Sequence, residues 1–556
     1  MSHRLSTCIL LLLVITTGAL GFGWKTKSQK DLDPVLKSAR CGVCTITLDL
    51  SIQYLALHPE PVNDFVQKHL CELFSEPAIN YLCKQAVSLF GDMVIQMILN
   101  QAGSDDICQT LMLCEDTTCR LRPKNHTYPS MTVSSNYKPM DSVPRDLNFD
   151  PWEFLRELYE HLSVQHLPLI DGDGDRFSTY PTLRGYYWRG KDCNDFNANI
   201  YPGRKIPLSP DSDTDHDCNG IYGTDPTTNR TWEDLLCANI TRYGIGIIGD
   251  SVGAHFSIPG EYLNASKINS TTYNNVLANL MNEFDLPHFS AATGFMNSTE
   301  EAPVSSLYKF FRERNRCNHR DYQNVAVNGG DTNDTDVNMK ALIRNQTFDH
   351  PMIVVHEIIG NDVCFGPGKM TPPEMFKQGV LERLEFLDTI LPPGSHVLMF
   401  GLVNGSMLYD FLHDEKHPIG ITYRNMYDFL NCLELNPCPG WLNSDAETRR
   451  LTTEGAFAIN AKYREIIAEG RVYKNFDYAY YEFPVVEIMS KWVADGGKAT
   501  DLIEPIDGFH SNQKFNALIA DWVWQRLNED HPDWIGDINP NNNRIIELFG
   551  DQGGHL

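Results

Sequence analysis

The chain has 556 residues, 42% hydrophobic and 21% charged, which is enough material for more than one buried core. Its formal net charge of −26 excludes wholesale binding to nucleic acid, whose phosphates would be repelled. Beyond the first two dozen residues no stretch approaches the ~18 uninterrupted apolar residues of a membrane span, so the mature protein is expected to be soluble.

The opening stretch MSHRLSTCILLLLVITTGALGFGW has a basic start at Arg4, an apolar run over Cys8–Val14, and small residues at Ala19 and Gly21. That is the pattern of a secretory signal peptide over residues 1–21, with a short propeptide expected over 22–36. Removing Cys8 with the signal leaves an even number of cysteines in an oxidising compartment, which reads as disulfides rather than metal thiolates. Sequons beginning at Asn125, Asn229, Asn239, Asn264, Asn269, Asn297, Asn333, Asn345 and Asn404 are candidate glycosylation sites and point the same way. The expected location is the secretory pathway, either secreted or in a lysosomal or granule lumen.

Residues 37–118 read as helical. Cys83, Val87, Phe90, Val94 and Met97 recur at three- and four-residue intervals, and further helices are expected over 43–57 and 65–74, punctuated by HPEPVND. The cysteines here are Cys41, Cys44, Cys71, Cys83, Cys108 and Cys114. A C-x-x-C opening also suits a redox or zinc site, but no βαβ context or partner cluster accompanies it. The pattern resembles a saposin B-type domain. That resemblance implies an all-α leaf with Cys41–Cys114, Cys44–Cys108 and Cys71–Cys83 bridges, binding lipid or a membrane or micelle surface. A leaf stapled in this way can expose its apolar face without unfolding.

Residues 119–150 are rich in Pro, Ser, Thr and Asn, lack apolar periodicity, and carry Arg120, Arg122, Lys124 and Arg145, so they are expected to form a cleavable linker. Cys119 is expected to bridge to an unassigned cysteine of the later part, keeping a small and a large subunit from one precursor together.

Residues 151–225 concentrate acidic groups in DGDGDRF, KDCNDFNANIYPG and DSDTDHDCNG. Carboxylates at alternate positions of a glycine-rich turn converge on one point, and hard oxygen ligands at that spacing suit Ca²⁺. A solvated acidic loop is the alternative, but such charge density would repel itself without a cation. The candidate ligands are Asp171, Asp173, Asp175, Asp192, Asp195, Asp213, Asp215 and Asp217, with Asn194, Asn197 and Asn219. The run resembles calcium modules of extracellular proteins, implying more than one structural ion. An EF-hand does not fit, because Thr182 stands at the twelfth position from Asp171.

From about residue 240, within an expected hydrolase part over 226–556, short apolar runs alternate with helical ones: YGIGIIGDS, NVAVNGGD, MIVVHEIIGND, HVLMFGLV and YYEFPVVEI. This alternation predicts a largely parallel sheet covered on both faces, with chemistry beyond the carboxyl ends of its strands. The first three runs end in polar corners: Asp250-Ser251, Asn328-Gly329-Gly330-Asp331, and Gly360-Asn361-Asp362. Near the end of the chain, Asp507 and His510 share one loop before an amphipathic helix. A serine needs a base, the base an orienting acceptor, and the oxyanion preorganised donors. Ser251, His510, Asp507, Gly330 and Asn361 supply one candidate for each role. His255 and His356 are rival bases read as structural or pocket-lining, and Asp362 is a rival orienting acid.

These corners do not form the G-x-S-x-G elbow. They resemble the GDSL, or SGNH, esterase family, which implies a flavodoxin-like α/β fold. By that resemblance Ser251 is the nucleophile, His510 the base and Asp507 its orienter, while the Ser251 amide, the amide of Gly330 (or its neighbour Gly329) and the Asn361 side chain form the oxyanion hole. Val252 replaces the family's Leu, and Ile359 the glycine of the third block. The order of parts resembles the acyloxyacyl hydrolase family. That implies a multidomain lipid esterase that removes secondary fatty acyl chains from the lipid A of bacterial lipopolysaccharide. A phospholipase or general lipid esterase is the first alternative, and a non-catalytic saposin-type lipid-binding or transfer protein the second.

Overall fold

The computed structural model describes residues 29–134 apart from 59 and 76, and residues 166–556 apart from 208–210, 300 and 333–338. The expected signal peptide, part of the expected propeptide, Arg145, the linker beyond 134, residues 151–165 of the acidic segment and Asn333 lie outside the described residues.

The helical part is built on α1 (Gln29–Leu57), α2 (Pro77–Leu99) and α3 (Ser104–Thr110). Ala39, Val43 and Ile46 recur every three or four residues and bury one face of α1, while Ile52 and Leu55 turn another face toward Ile95 and Ile98 of α2 and Ile107 of α3. The helix expected over 65–74 is instead a succession of short turns of changing pitch, Val62–Asp64, Phe65–His69 and Cys71–Leu73. The Leu70 amide bonds back to the Phe65 carbonyl (2.8 Å), and Cys71 is tied to Cys83, so a regular helix cannot continue. Disulfides join Cys41–Cys114, Cys44–Cys108 and Cys71–Cys83.

The described start of the expected linker is docked on this helical part. The Val62 amide donates to the Thr132 carbonyl (2.9 Å), and Arg122 is buried against Asp49 through Nε–Oδ1 (3.0 Å) and Nη2–Oδ2 (2.7 Å). Arg122 is therefore shielded from a protease, whereas Lys124 is exposed.

Five parallel strands form the second core, β1 (Gly244–Gly249), β2 (Tyr322–Asn324), β3 (Met352–Glu357), β4 (Ser395–Phe400) and β5 (Phe476–Tyr481), in the order β2-β1-β3-β4-β5. β1, β3 and β4 are buried along their whole length, as strands covered on both faces must be. Helices α4 (Leu307–Arg314), α5 (Pro373–Ile390), α6 (Tyr423–Cys432), α7 (Ala446–Glu469), α8 (Val485–Ala494) and α9 (Gln513–Asp530) surround them. His356 reaches Arg383 of α5 and Tyr463 of α7, whereas its neighbour Val355 faces Ile519 and Val523 of α9, so the two helical layers lie on opposite faces. This strand order is the flavodoxin-like one, with its switch point between β1 and β3.

The last expected strand lies earlier than YYEFPVVEI suggests. Phe476–Tyr481 carries it, and Val485–Ala494 is helical because Pro484 starts a helix whose Val485, Ile488 and Met489 share one buried face. The acidic segment caps the sheet's edge: the Gly190 amide donates to Tyr322 (2.9 Å) and the Asn324 amide to Trp188 (2.7 Å). Further disulfides are Cys193–Cys218, Cys237–Cys317, Cys364–Cys438 and Cys119–Cys432. Among the described residues no helix is long and apolar enough to cross a membrane.

Candidate active site

The corners after β1 and β3 meet at the switch point. Asp250 and Ser251 follow β1 directly, and a one-turn helix, Asn361–Cys364, begins four residues after β3. The Asp250 carboxylate joins them, accepting from the Val252 amide (3.0 Å) and the Ile359 amide (3.0 Å). Burial pushes its pKa up to about 6. Glu357 nearby is pushed well above the carboxylate range by burial and by the charge of Asp250.

The loop before α9 supplies the other two groups. His510 Nε2 lies 2.7 Å from Ser251 Oγ, and His510 Nδ1 lies 2.6 Å from Asp507 Oδ2. The second carboxylate oxygen of Asp507 accepts from the backbone amides of Phe509 (2.7 Å) and His510 (3.0 Å), which fixes the acid in its own loop. All three side chains are buried. With Nδ1–H donated to Asp507, Nε2 is left to accept the serine proton, so this geometry can generate an alkoxide-like nucleophile.

Ser251 and Asn361 line a cleft of ≈ 50 Å³ whose other walls include Val403, Leu408, Phe483 and Phe515. The Asn361 side chain has no hydrogen-bond partner among the described residues, so its amide is free to donate to a developing oxyanion. Val252, Phe483 and Ile519 also line a neighbouring cavity of ≈ 30 Å³ that reaches Glu357. Both departures from the esterase pattern, Val252 and Ile359, thus serve as apolar wall. The wall residues come from five separate segments, and no local signal in the sequence marks them.

Gly330 is engaged within its own turn. Its amide donates to the Val327 carbonyl (2.9 Å), closing a turn in which Gly329 takes a φ of +70°, and it does not line the cleft. The rivals take no part in the relay's hydrogen bonds. His356 lies between Arg383 Nη1 and Tyr463 Oη, 3.1 Å from each, and burial holds its pKa well below the usual value. His255 is buried with its pKa lowered to about 4, and Asp362 accepts from the Thr332 amide (3.2 Å) and hydroxyl (2.9 Å).

In the acidic segment, the structure gathers Asp171, Asp173 and Asp195, and also Asp173, Asp175 and Asp192, into two overlapping groups with carboxylate oxygens within 4.8 Å of one another. Oδ2 of Asp173, Asp175 and Asp192 is buried without a hydrogen-bond partner. Burial, with like-charged neighbours, raises Asp175 to about 7 and Asp192 to about 6. Orphaned, mutually repelling oxygens fit a hard cation. In the third cluster Asp217 is paired with Arg242 (2.7 Å) and accepts from Asn219 Nδ2 (3.0 Å), and Asp215 accepts from the Asn219 (3.1 Å) and Gly220 (2.8 Å) amides. Asp213 is exposed and joins neither group, while Asn194 and Asn197 cap local turns. Among the sequons, Asn125, Asn229, Asn239, Asn269, Asn297 and Asn345 are exposed, and Asn264 and Asn404 are half-buried.

Residues 245–523 match the family model for the GDSL-like Lipase/Acylhydrolase, and residues 82–114 match that for Saposin-like type B, region 2. The chain is 36% identical over 540 residues to the acyloxyacyl hydrolase of Oryctolagus cuniculus and 36% identical over 542 residues to that of Homo sapiens, in each case covering 93% of both chains. This chain belongs to the acyloxyacyl hydrolase family. The acyloxyacyl hydrolase of Mus musculus, 36% identical over 540 residues, matches over the same share. As a member of this family the chain is a serine ester hydrolase acting on lipid, with its α/β hydrolase domain following a saposin-like helical one.

Proposed function

We propose that this hydrolase removes the secondary, acyloxyacyl-linked fatty acids from the lipid A of bacterial lipopolysaccharide, detoxifying it, through Ser251, His510 and Asp507. The observation that carries the reading is the unbroken relay from Asp507 through His510 to Ser251 Oγ, at 2.6 and 2.7 Å, opening on an apolar cleft.

His510 Nε2 takes the serine proton as Oγ attacks the ester carbonyl. The Ser251 amide and Asn361 side chain donate to the tetrahedral oxyanion, and His510 returns the proton to the leaving hydroxyl. Water then attacks the acyl-serine, with His510 as base, releasing the fatty acid and regenerating Ser251. Gly330 acts here by shaping its turn, and it becomes a third donor only if its bond to Val327 opens.

The saposin-like part loosens the lipid from its micelle or membrane. Asp171, Asp173, Asp175, Asp192 and Asp195 would hold Ca²⁺, which neutralises their charge and keeps the segment folded against the edge of the sheet. The protein acts in the secretory pathway, secreted or in a lysosomal or granule lumen. It is processed after the helical part into two subunits tethered by Cys119–Cys432.

The test is mass analysis of lipid A before and after incubation with the wild-type protein and with Ser251→Ala. Loss of secondary acyl chains only with the wild type is expected. Release from glycerophospholipid alone would favour a phospholipase, and unchanged release by Ser251→Ala would eliminate the serine mechanism.

A further inference from the structure

The loop that carries Asp507 and His510 is held by three side chains that are not part of the relay. Tyr423 Oη donates to the Pro505 carbonyl (2.8 Å), His417 Nε2 to the Ile506 carbonyl (2.7 Å), and Tyr427 Oη to the Gly508 carbonyl (2.8 Å). The backbone carbonyls on both sides of Asp507 are thus fixed from a single segment, residues 417–427. Gly508 allows the approach: at a φ of +62°, a Cβ there would sit 2.5 Å from Tyr427 Oη and 2.6 Å from the Tyr423 ring. All three positioning side chains are buried.

The saposin-like part covers the same segment. Ile419, Ile421, Met426, Phe429 and Leu430 form one core with Val43 and Ile46 of α1. At its centre the Ile419 carbonyl accepts from Arg122 Nη2 (2.8 Å) and from Gln53 Nε2 (2.9 Å). The Ile419 amide in turn donates to His417 Nδ1 (3.1 Å), which fixes the tautomer that donates from Nε2 to Ile506. Arg122 is itself held by Asp49. A continuous set of hydrogen bonds runs from Asp49 and Gln53 of α1 to the backbone beside Asp507, and Cys119–Cys432 staples its far edge.

We propose that His417, Tyr423 and Tyr427 are positioning residues for Asp507 and His510, and that the docked saposin-like part sets His417, and with it this loop, through Gln53 and Arg122 on Ile419. The lipid-binding part then conditions the chemistry as well as delivering the substrate. The reasoning rests on the proposed serine mechanism.

A short, water-soluble acyl ester tests it, because such a substrate needs no extraction from a lipid phase. In the full-length protein, Tyr427→Phe and Tyr423→Phe each remove one hydroxyl and are expected to lower kcat roughly 3- to 30-fold, with KM within about twofold of wild type. Gln53→Leu, and the pair Asp49→Leu with Arg122→Met, which leaves no unpaired buried charge, are expected to do the same from the far side of the interface. Thermal unfolding of each variant establishes that it is folded at the assay temperature.

Wild-type kcat in both tyrosine variants, with Ser251→Ala inactive, would overturn the positioning role and leave the serine mechanism intact. Lowered kcat in the tyrosine variants with wild-type kcat in the interface variants would overturn the transmission from the saposin-like part. Activity retained by Ser251→Ala would instead remove the serine mechanism itself.

Discussion

The Asp250 carboxylate accepts a hydrogen bond from the Ile359 amide, 3.0 Å away, and so ties the corner that presents Ser251 to the corner that presents Asn361. Being fully buried, Asp250 has its pKa raised from 3.8 to about 6. Between those two values the folded state retains a proton that the unfolded state has released, so this group's contribution to stability is full below about pH 3.8 and is lost as the pH rises through about 6. Asp250→Asn is expected to flatten the pH dependence of the unfolding free energy over that window, by at most about 3 kcal/mol. Urea unfolding at a series of pH values measures it, and an unchanged slope would show that Asp250 does not titrate there.

Asn361 lines the cleft beside Ser251 and is the side-chain oxyanion donor of the proposed mechanism. Its replacement by alanine is expected to lower kcat about 100-fold or more while leaving KM within severalfold, because the interaction strengthens only as charge develops. Steady-state hydrolysis of a soluble ester is sufficient, and a change confined to KM would assign Asn361 to ground-state binding instead.

Cys119 and Cys432 stand 313 residues apart in sequence with their Cα atoms 5.4 Å apart. A proteolytic cut anywhere between them is expected to leave one band on a non-reducing gel and two on a reducing gel. For a cut between Cys119 and Cys193, which no other disulfide spans, Cys432→Ala should release the small fragment once the noncovalent interface is denatured, without any reductant.

In the acidic segment, Asp173 belongs to both groups of clustered carboxylates. Asp173→Asn is therefore expected to reduce the Ca²⁺ retained after dialysis, read by elemental analysis, and to abolish most of the rise in thermal midpoint that added Ca²⁺ gives the wild type. Equal ion content in the variant and the wild type would reject these residues as ligands.

Much of the site was legible because it is written in local patterns. Apolar runs ending in Asp250-Ser251 and in Gly360-Asn361 mark strand ends, and Asp507 lies close enough to His510 to share a loop and bond it directly. Alternating carboxylates in a glycine-rich turn likewise mark Asp171, Asp173 and Asp175, although Asp195 and Asp192, about twenty residues on, complete their two groups. The boundary of the last strand was less legible, since Val485, Val486 and Ile488 suit a strand or a helix and only Pro484 and the packing of Ile488 with Met489 decide between them.

The sequence by itself therefore determined the class of each part, the residue types of the relay and the compartment its cysteines suit, because those depend on composition and on neighbours a few positions away. The tertiary structure alone decided which cysteine Cys119 meets, which side chains His356 lies between, and that Asp217 answers to Arg242. It also decided that residues 417–427 stand between the lipid-binding part and Asp507. Each of these is a contact between segments tens to hundreds of residues apart, formed when chain closure and burial bring their surfaces together, and chain closure leaves no periodic trace in either segment.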